Sequence, residues 1–170
     1  VTASEAELRE TRGDYMRGEL AYQQIQATKP QSLGYALNDS PAGLAAWILE
    51  KFHGWTDMPQ GAGGNLDDYF SKDELLTNIS IYWFSESITS SMRIYYENRA
   101  VPQIKPTGYI DVPTGVALFP AEIYITPRAW AEAAYDIRHW AQLEKGGHFA
   151  ALEQTQIYLD ELNTFFRLLR

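Results

Sequence analysis

The sequence predicts an α/β protein made of two successive parts, and three observations carry that prediction. Up to about residue 105, apolar residues recur at three- and four-residue intervals between capping signals, the pattern of packed helices. Beyond residue 106 the pattern changes to a short apolar run, a helix, a second apolar run and a last helix, the order of an open α/β sheet. A polar residue follows each run, Glu122 after the first and His148 after the second. Sites in such sheets gather at the carboxyl ends of the strands. Residues 1–105 therefore read as a helical part and 106–170 as a sheet-forming part.

Thr2 and Glu5 have the spacing of a capping box and open a first helix through Arg12. A second, from about Asp14 to Ala27, carries Tyr22 and ends before Lys29-Pro30, because proline disfavours helical geometry in its predecessor. Asn38-Asp39-Ser40-Pro41 signals another start, with side-chain oxygens for free amides and a proline suited to the first turn. That helix runs to about His53, with Leu44, Ala45, Ile48, Leu49 and Phe52 on one face and Gly54 as its cap. Asp57 to Tyr69 is a loop, and its Gly61-Ala62-Gly63-Gly64 lacks the flanking strand and third glycine of a dinucleotide fingerprint. Ser71 and Glu74 form a second capping box for an apolar helix to about Phe84, and a further helix carries Ile88, Met92 and Tyr95.

After Pro102, Pro106 and Gly108, the run Val112 to Phe119 reads as a buried strand ended by Pro120-Ala121-Glu122. A helix over about 127–135, a second strand near Ile137 to Leu143 and the turn Gly146-Gly147-His148 follow. A long last helix then places Leu159, Leu162, Phe166 and Leu169 on one face. Two strands do not bury both faces and both edges of a sheet, so further strands are expected from outside these 170 residues. An opening Val1 in place of an initiator Met fits that expectation of a fragment.

Composition removes several classes of function. The formal charge is −8 and none of the 14 basic residues forms a run, which argues against a nucleic-acid partner. No stretch approaches the roughly 20 apolar residues of a membrane helix. A cytoplasmic location is the expectation, with a membrane anchor upstream left open. Without cysteine there is no disulfide framework, thiolate zinc site or thiol nucleophile. His53 and His139 lack metal-ligand spacing, so no metal is expected. The glycosylation triplets Asn38-Asp39-Ser40 and Asn78-Ile79-Ser80 sit before a proline and inside an apolar helix, and neither is assigned a role. A 14% aromatic content suits an apolar ligand as well as a core.

The chemistry-bearing candidates stand after the strands. Two glycines before His148 let the backbone turn tightly, which can hold its imidazole at a cleft. Glu122, 26 residues earlier, is placed to accept an imidazole N–H and fix its tautomer. Acid followed by histidine is the chain order of one group of nucleophilic hydrolases. Each residue alone is a common structural feature; the pair and its order are what point to catalysis.

Several blocks resemble one family in sequence and order. These are Gln26-Ala27-Thr28-Lys29-Pro30, the stretch from Ala36-Leu37-Asn38-Asp39-Ser40-Pro41 to Glu50-Lys51-Phe52, Val112-Pro113-Thr114-Gly115, and Gly146-Gly147-His148-Phe149-Ala150-Ala151-Leu152-Glu153. They resemble epoxide hydrolases of the microsomal type, enzymes of the α/β-hydrolase fold. The resemblance implies a partial fold, a helical lid over 1–105 and the carboxy-terminal part of the core over 106–170. It implies an aspartate that opens the epoxide as a covalent ester, and a histidine and acid that activate water to hydrolyse it. His148 is then the base and Glu122 the orienting acid. Two tyrosines that hold the epoxide oxygen correspond to Tyr22 and Tyr95, with Tyr96 an alternative to Tyr95. Asp39 is set aside as a helix-start residue, because the family's nucleophile lies upstream, and no nucleophile elbow occurs in this chain.

The implied partners are a small apolar epoxide, water and an amino-terminal half of the hydrolase outside this chain, with a homodimer of the parent left open. The chain alone is expected to be inactive. Two other readings stay in play: another lid-bearing α/β-hydrolase, such as an esterase or haloalkane dehalogenase, and a non-catalytic binding or assembly partner. Where relatives often have proline after the acidic residue that precedes the last helix, this chain has Glu153-Gln154-Thr155.

Overall fold

The computed structural model describes residues 2–59, 64–100 and 108–170. The Gly61-Ala62-Gly63 part of the glycine run and both Pro102 and Pro106 lie outside the described residues. Contacts divide the chain into two units: Val1–Arg17 with Trp55–Pro59 and Pro106–Arg170, and Gly18–Gly54 with Gln60–Lys105. This differs from a division into 1–105 and 106–170, because two amino-terminal segments group with the sheet. The contacts that bind them are polar and specific. Arg12 donates from Nε to the Glu122 carbonyl at 3.0 Å and from Nη2 to the Ala121 carbonyl at 2.8 Å, and Glu5 accepts from the Arg128 amide at 3.0 Å.

The first helix, α1 (Ala3–Glu19), opens on the expected capping box, with the Glu5 amide donating to Thr2 Oγ1 and the Thr2 amide to Glu5 Oε2. It runs through Gly13, where a break was expected, since glycine lowers helix propensity without forbidding the helix. The break falls at Leu20, and α2 (Ala21–Thr28) follows. Next comes α3 (Pro30–Asp39), a helix absent from the sequence-based expectation. Pro30 is at its first turn, and Gly34 weakens the pattern locally. That glycine is there for contact: a Cβ on it would come within 2.3 Å of Thr89 Oγ1.

Ser40 Oγ accepts from the Gly43 amide at 3.0 Å and opens α4 (Pro41–Trp55). Gly54, expected as the cap, lies inside this helix, which ends one residue later. A 3-10 turn at Leu66–Asp68 precedes α5 (Lys72–Phe84), whose Ser71–Glu74 capping box is complete in both directions, and α6 (Ile88–Ala100) follows. Leu37, Leu44, Ile79, Ile88 and Met92 form the buried centre of this helical unit, each 6% exposed or less. They come from α3, α4, α5 and α6, and Leu44, Ile88 and Met92 are among the apolar residues that the sequence marked.

In the other unit, β1 (Ile110–Leu118) and β2 (Tyr135–Gln142) pair in parallel, with α7 (Arg128–Glu132) between them. Helix α7 is shorter than expected because β2 starts at Tyr135. Gly115 on β1 lies against the Phe165 ring, which a Cβ would approach to 2.7 Å. A short helix, α8 (Ala150–Glu153), precedes the expected last helix, α9 (Thr155–Arg167), and Gln154 between them has φ and ψ of −134° and 48°, which are not helical. The turn thus forms here without a proline. Among the described residues, these two strands make up a two-stranded sheet.

Candidate active site

Both strands of the sheet unit end at the same level, and the chain continues the pairing past them. Leu143 donates to the Leu118 carbonyl at 2.9 Å, and Ala121 and Gly147 form a further parallel bridge. That bridge carries Glu122 and His148, one residue beyond on each chain, to adjacent positions. His148 Nδ1 lies 2.7 Å from Glu122 Oε1, a hydrogen bond between side chains 35% and 31% exposed. The expected neighbourhood of acid and histidine is therefore a geometric fact.

Local conformation explains the placement. Gly146 has φ of +116°, a region that side chains disfavour, and its amide and that of Gly147 both donate to carboxylates. The His148 amide donates to the Trp55 carbonyl at 2.9 Å. Around the imidazole, the Trp55 ring stands edge-on at 5.2 Å and the Phe149 ring at 5.3 Å. Trp55 was not marked by the sequence, because its position at a helix end carries no local signature of what it touches.

Glu122 Oε1 also accepts from the Ile123 amide at 2.6 Å. Burial pushes this carboxyl up, but the hydrogen bond with His148 and that from Ile123, with the charges of His148 and Arg12, together hold it below its ordinary value. It is thus ionised at neutral pH. An anionic acceptor on Nδ1 selects the tautomer in which Nε2 carries the lone pair, the form that can take a proton from water.

In the helical unit, α2 and α6 bring Tyr22 and Tyr95 together, with ring centroids 5.8 Å apart and planes at 79°. Tyr96, the neighbouring alternative, is 49% exposed. The arrangement pairs two phenol rings from residues 73 apart in sequence. Lys51 lies over the Tyr22 ring, 5.0 Å from its centroid, and bonds Glu19 and Glu50 at 3.0 and 2.9 Å. Burial draws its pKa down, yet the hydrogen bonds it donates to Glu50 and Glu19, with their charges, outweigh this and raise it. Lys51 belongs to the stretch Glu50-Lys51-Phe52, but nothing local in sequence shows that it reaches a tyrosine.

The residues set aside behave differently from the two pairs. His139 lies 2.6 Å from Glu161 and belongs to the packing of β2 against α9. Asp39 is the last residue of α3 and does not cap α4; Ser40 does so, because its hydroxyl is the group within reach of the Gly43 amide. Among the described residues no cluster of three potential ligands could hold a metal ion, and no helix is long and apolar enough to cross a membrane.

Comparison with known proteins places this geometry in context. No protein-family model matches the chain. A Stigmatella aurantiaca sequence that carries the epoxide hydrolase name is 46% identical over 147 residues, 86% of this chain and 32% of that protein. Epoxide hydrolase 1 of Sus scrofa is 43% identical, covering 89% of this chain and 35% of its own. Among solved structures, juvenile hormone epoxide hydrolase from the silkworm Bombyx mori matches with a TM-score of 0.83 at 33% identity, over 100% of this chain and 43% of that one. Aspergillus niger epoxide hydrolase matches with a TM-score of 0.81 at 29% identity, over 100% and 41%. The chain spans about a third of the length of the curated relatives it matches.

Proposed function

The chain belongs to the epoxide hydrolases of the α/β-hydrolase fold, matching part of that fold, and from this premise we propose that the enzyme it forms part of hydrolyses apolar epoxides to vicinal diols. In this reading His148 is the general base, Glu122 holds its ring, Tyr22 and Tyr95 bind the epoxide oxygen, and the nucleophilic carboxylate lies outside these 170 residues. Water is the second substrate, and no cofactor takes part.

The observation that carries the reading is the 2.7 Å contact between His148 Nδ1 and Glu122 Oε1 at the carboxyl ends of two parallel strands. The chemistry divides into two steps. A carboxylate oxygen attacks an epoxide carbon, the ring C–O bond breaks, and the released oxygen takes hydrogen bonds and a proton from the phenols. Water then attacks the ester carbonyl carbon while Nε2 of His148 takes its proton, and the acyl C–O bond to the product breaks. The departing alkoxide takes the proton of the carboxylic acid formed, the imidazolium proton returns to the phenolate, and so epoxide plus water becomes diol with carboxylate, imidazole and phenol all regenerated. The paired tyrosines favour this over simple ester hydrolysis, where two donors facing an alkoxide are not required.

His148→Ala in the full-length protein tests the reading. Ring opening should survive while ester hydrolysis falls by about 10³-fold, within the range a positioned base supplies. A mass increase equal to the epoxide should then persist on the protein. Fast turnover by the variant, or no covalent mass with any apolar epoxide, would overturn the proposal.

A further inference from the structure

We infer that Glu153, acting with Asp57, is a positioning residue that sets where His148 stands, by clamping the Gly146-Gly147-His148 turn to the segment Trp55–Asp57. The inference deepens the reading of His148 as base given above and rests on it for its kinetic consequence.

Three successive amides of the turn are held. Gly146 donates to Asp57 Oδ2 at 2.8 Å, Gly147 to Glu153 Oε1 at 2.8 Å, and His148 to the Trp55 carbonyl at 2.9 Å. The other oxygen of Glu153 accepts from the Asp57 amide at 3.0 Å, so one carboxylate bridges the two segments. Residues 57 and 153 are 96 apart in sequence, and the bridge is the means by which α8 and the end of α4 hold one turn between them. Bonds of amides to ionised carboxylates are shorter and stronger than neutral ones, and part-buried ones are little screened.

The fit leaves no slack. A Cβ on Gly147 would lie 2.4 Å from the Trp55 carbonyl oxygen and 3.0 Å from the Asp57 nitrogen. Two carboxylates side by side also repel. Burial raises the pKa of Glu153 and the charge of Asp57 raises it further, while amides of Asp57, Gly147 and Phe149 oppose them. For stability alone this is a poor arrangement, and a neutral side chain at 153 would remove the repulsion. What the pair does supply is a carboxyl oxygen as acceptor on each side of the turn that ends in His148. Neither carboxylate is bonded to the imidazole; both act through the backbone that aims it at Glu122.

The Glu153→Gln variant of the full-length protein, with Asp57→Asn as a second variant, separates positioning from support of the fold. An amide at 153 keeps the shape but presents an NH2 where one amide donor needs an acceptor. In single-turnover experiments with an apolar epoxide, ester hydrolysis should fall about tenfold or more while ring opening changes less than threefold, since a small misplacement of a reacting group costs rate steeply. The thermal midpoint should stay close to that of the parent. Independently of activity, the low-field proton resonance of His148 Nδ1–H bonded to Glu122 should broaden or shift in Glu153→Gln. Asp57→Asn, which keeps one acceptor oxygen, should do the same to a smaller degree.

An unmoved resonance with both steps unchanged would overturn the inference. So would parallel loss of both steps together with the thermal midpoint, the mark of a purely structural role. Were Glu153→Gln to fail to fold, the smaller changes of Asp57→Asn decide the matter alone. If the parent forms no ester, the functional reading falls, and the resonance still decides whether Glu153 positions His148.

Discussion

The two candidate pairs are held together by different physics. His148 and Glu122 sit 26 residues apart on extensions of paired strands, and their contact is a directional 2.7 Å hydrogen bond set by held backbone amides. Tyr22 and Tyr95 sit on two helices, and their contact is an edge-to-face ring packing at 5.8 Å that follows from how α2 lies on α6. The polar pair depends on a few bonds with narrow geometry. The aromatic pair depends on helix packing, with α2 and α3 both lying against α6. Substitutions at the first should change rate with little loss of fold, whereas those supporting the second should change stability first.

The sharpest way to break that contrast is at Glu122. Replacing it with glutamine keeps the volume but removes the anion that selects the His148 tautomer, and ester hydrolysis should drop by about 10²-fold or more with ring opening spared. Rapid-quench analysis of the ester separates the two steps. The same variant tests a pH dependence. The carboxyl of Glu122 titrates below its ordinary 4.5 in the folded protein, so its contribution to stability is present above that value and disappears as pH falls through the depressed one. Glu122→Gln should therefore flatten the acid side of a plot of denaturation midpoint against pH. An acid limb identical to the parent's would show that the pair contributes nothing to the fold.

Next in size is the tyrosine pair. Tyr95→Phe should slow ring opening by about tenfold, less than the full loss of an oxyanion donor because Tyr22 remains. Tyr96→Phe, at an exposed ring, should leave both steps within about twofold, as surface substitutions away from a site do. Equal effects of the two would remove the distinction that the Tyr22 contact draws.

The smallest effect on rate, and the clearest on stability, is expected at Gly34. Alanine there meets Thr89 Oγ1 at 2.3 Å, and the β-branched Thr89 has few rotamers in which to yield. Overpacking of this kind costs about 1–3 kcal/mol, of which the gain in helix propensity returns about 1. A lower midpoint in denaturant, with catalytic rates retained on the folded fraction, is the outcome that sharpens the contrast between the units.

Much of this was legible in the chain itself, for a definite reason. Capping boxes at Thr2–Glu5 and Ser71–Glu74 act over three residues, apolar periodicity over seven or eight, and both read directly from sequence. The parallel strands and the acid-before-histidine order came from composition changes and glycine placement. The roles proposed for Tyr22 and Tyr95 came from a family resemblance alone, which no spacing rule supplies.

Tertiary structure decided what depends on distant partners. It settled that α3 forms despite Gly34, because the glycine is the place where Thr89 approaches. It set the ring of Tyr95 against Tyr22 and left Tyr96 49% exposed. It drew the first helix and Trp55–Pro59 into the sheet unit, through Arg12 and through the bridge from Asp57 to Glu153. Such contacts span about 50 to 110 residues, and a donor or acceptor in a sequence carries no mark of which remote group will satisfy it.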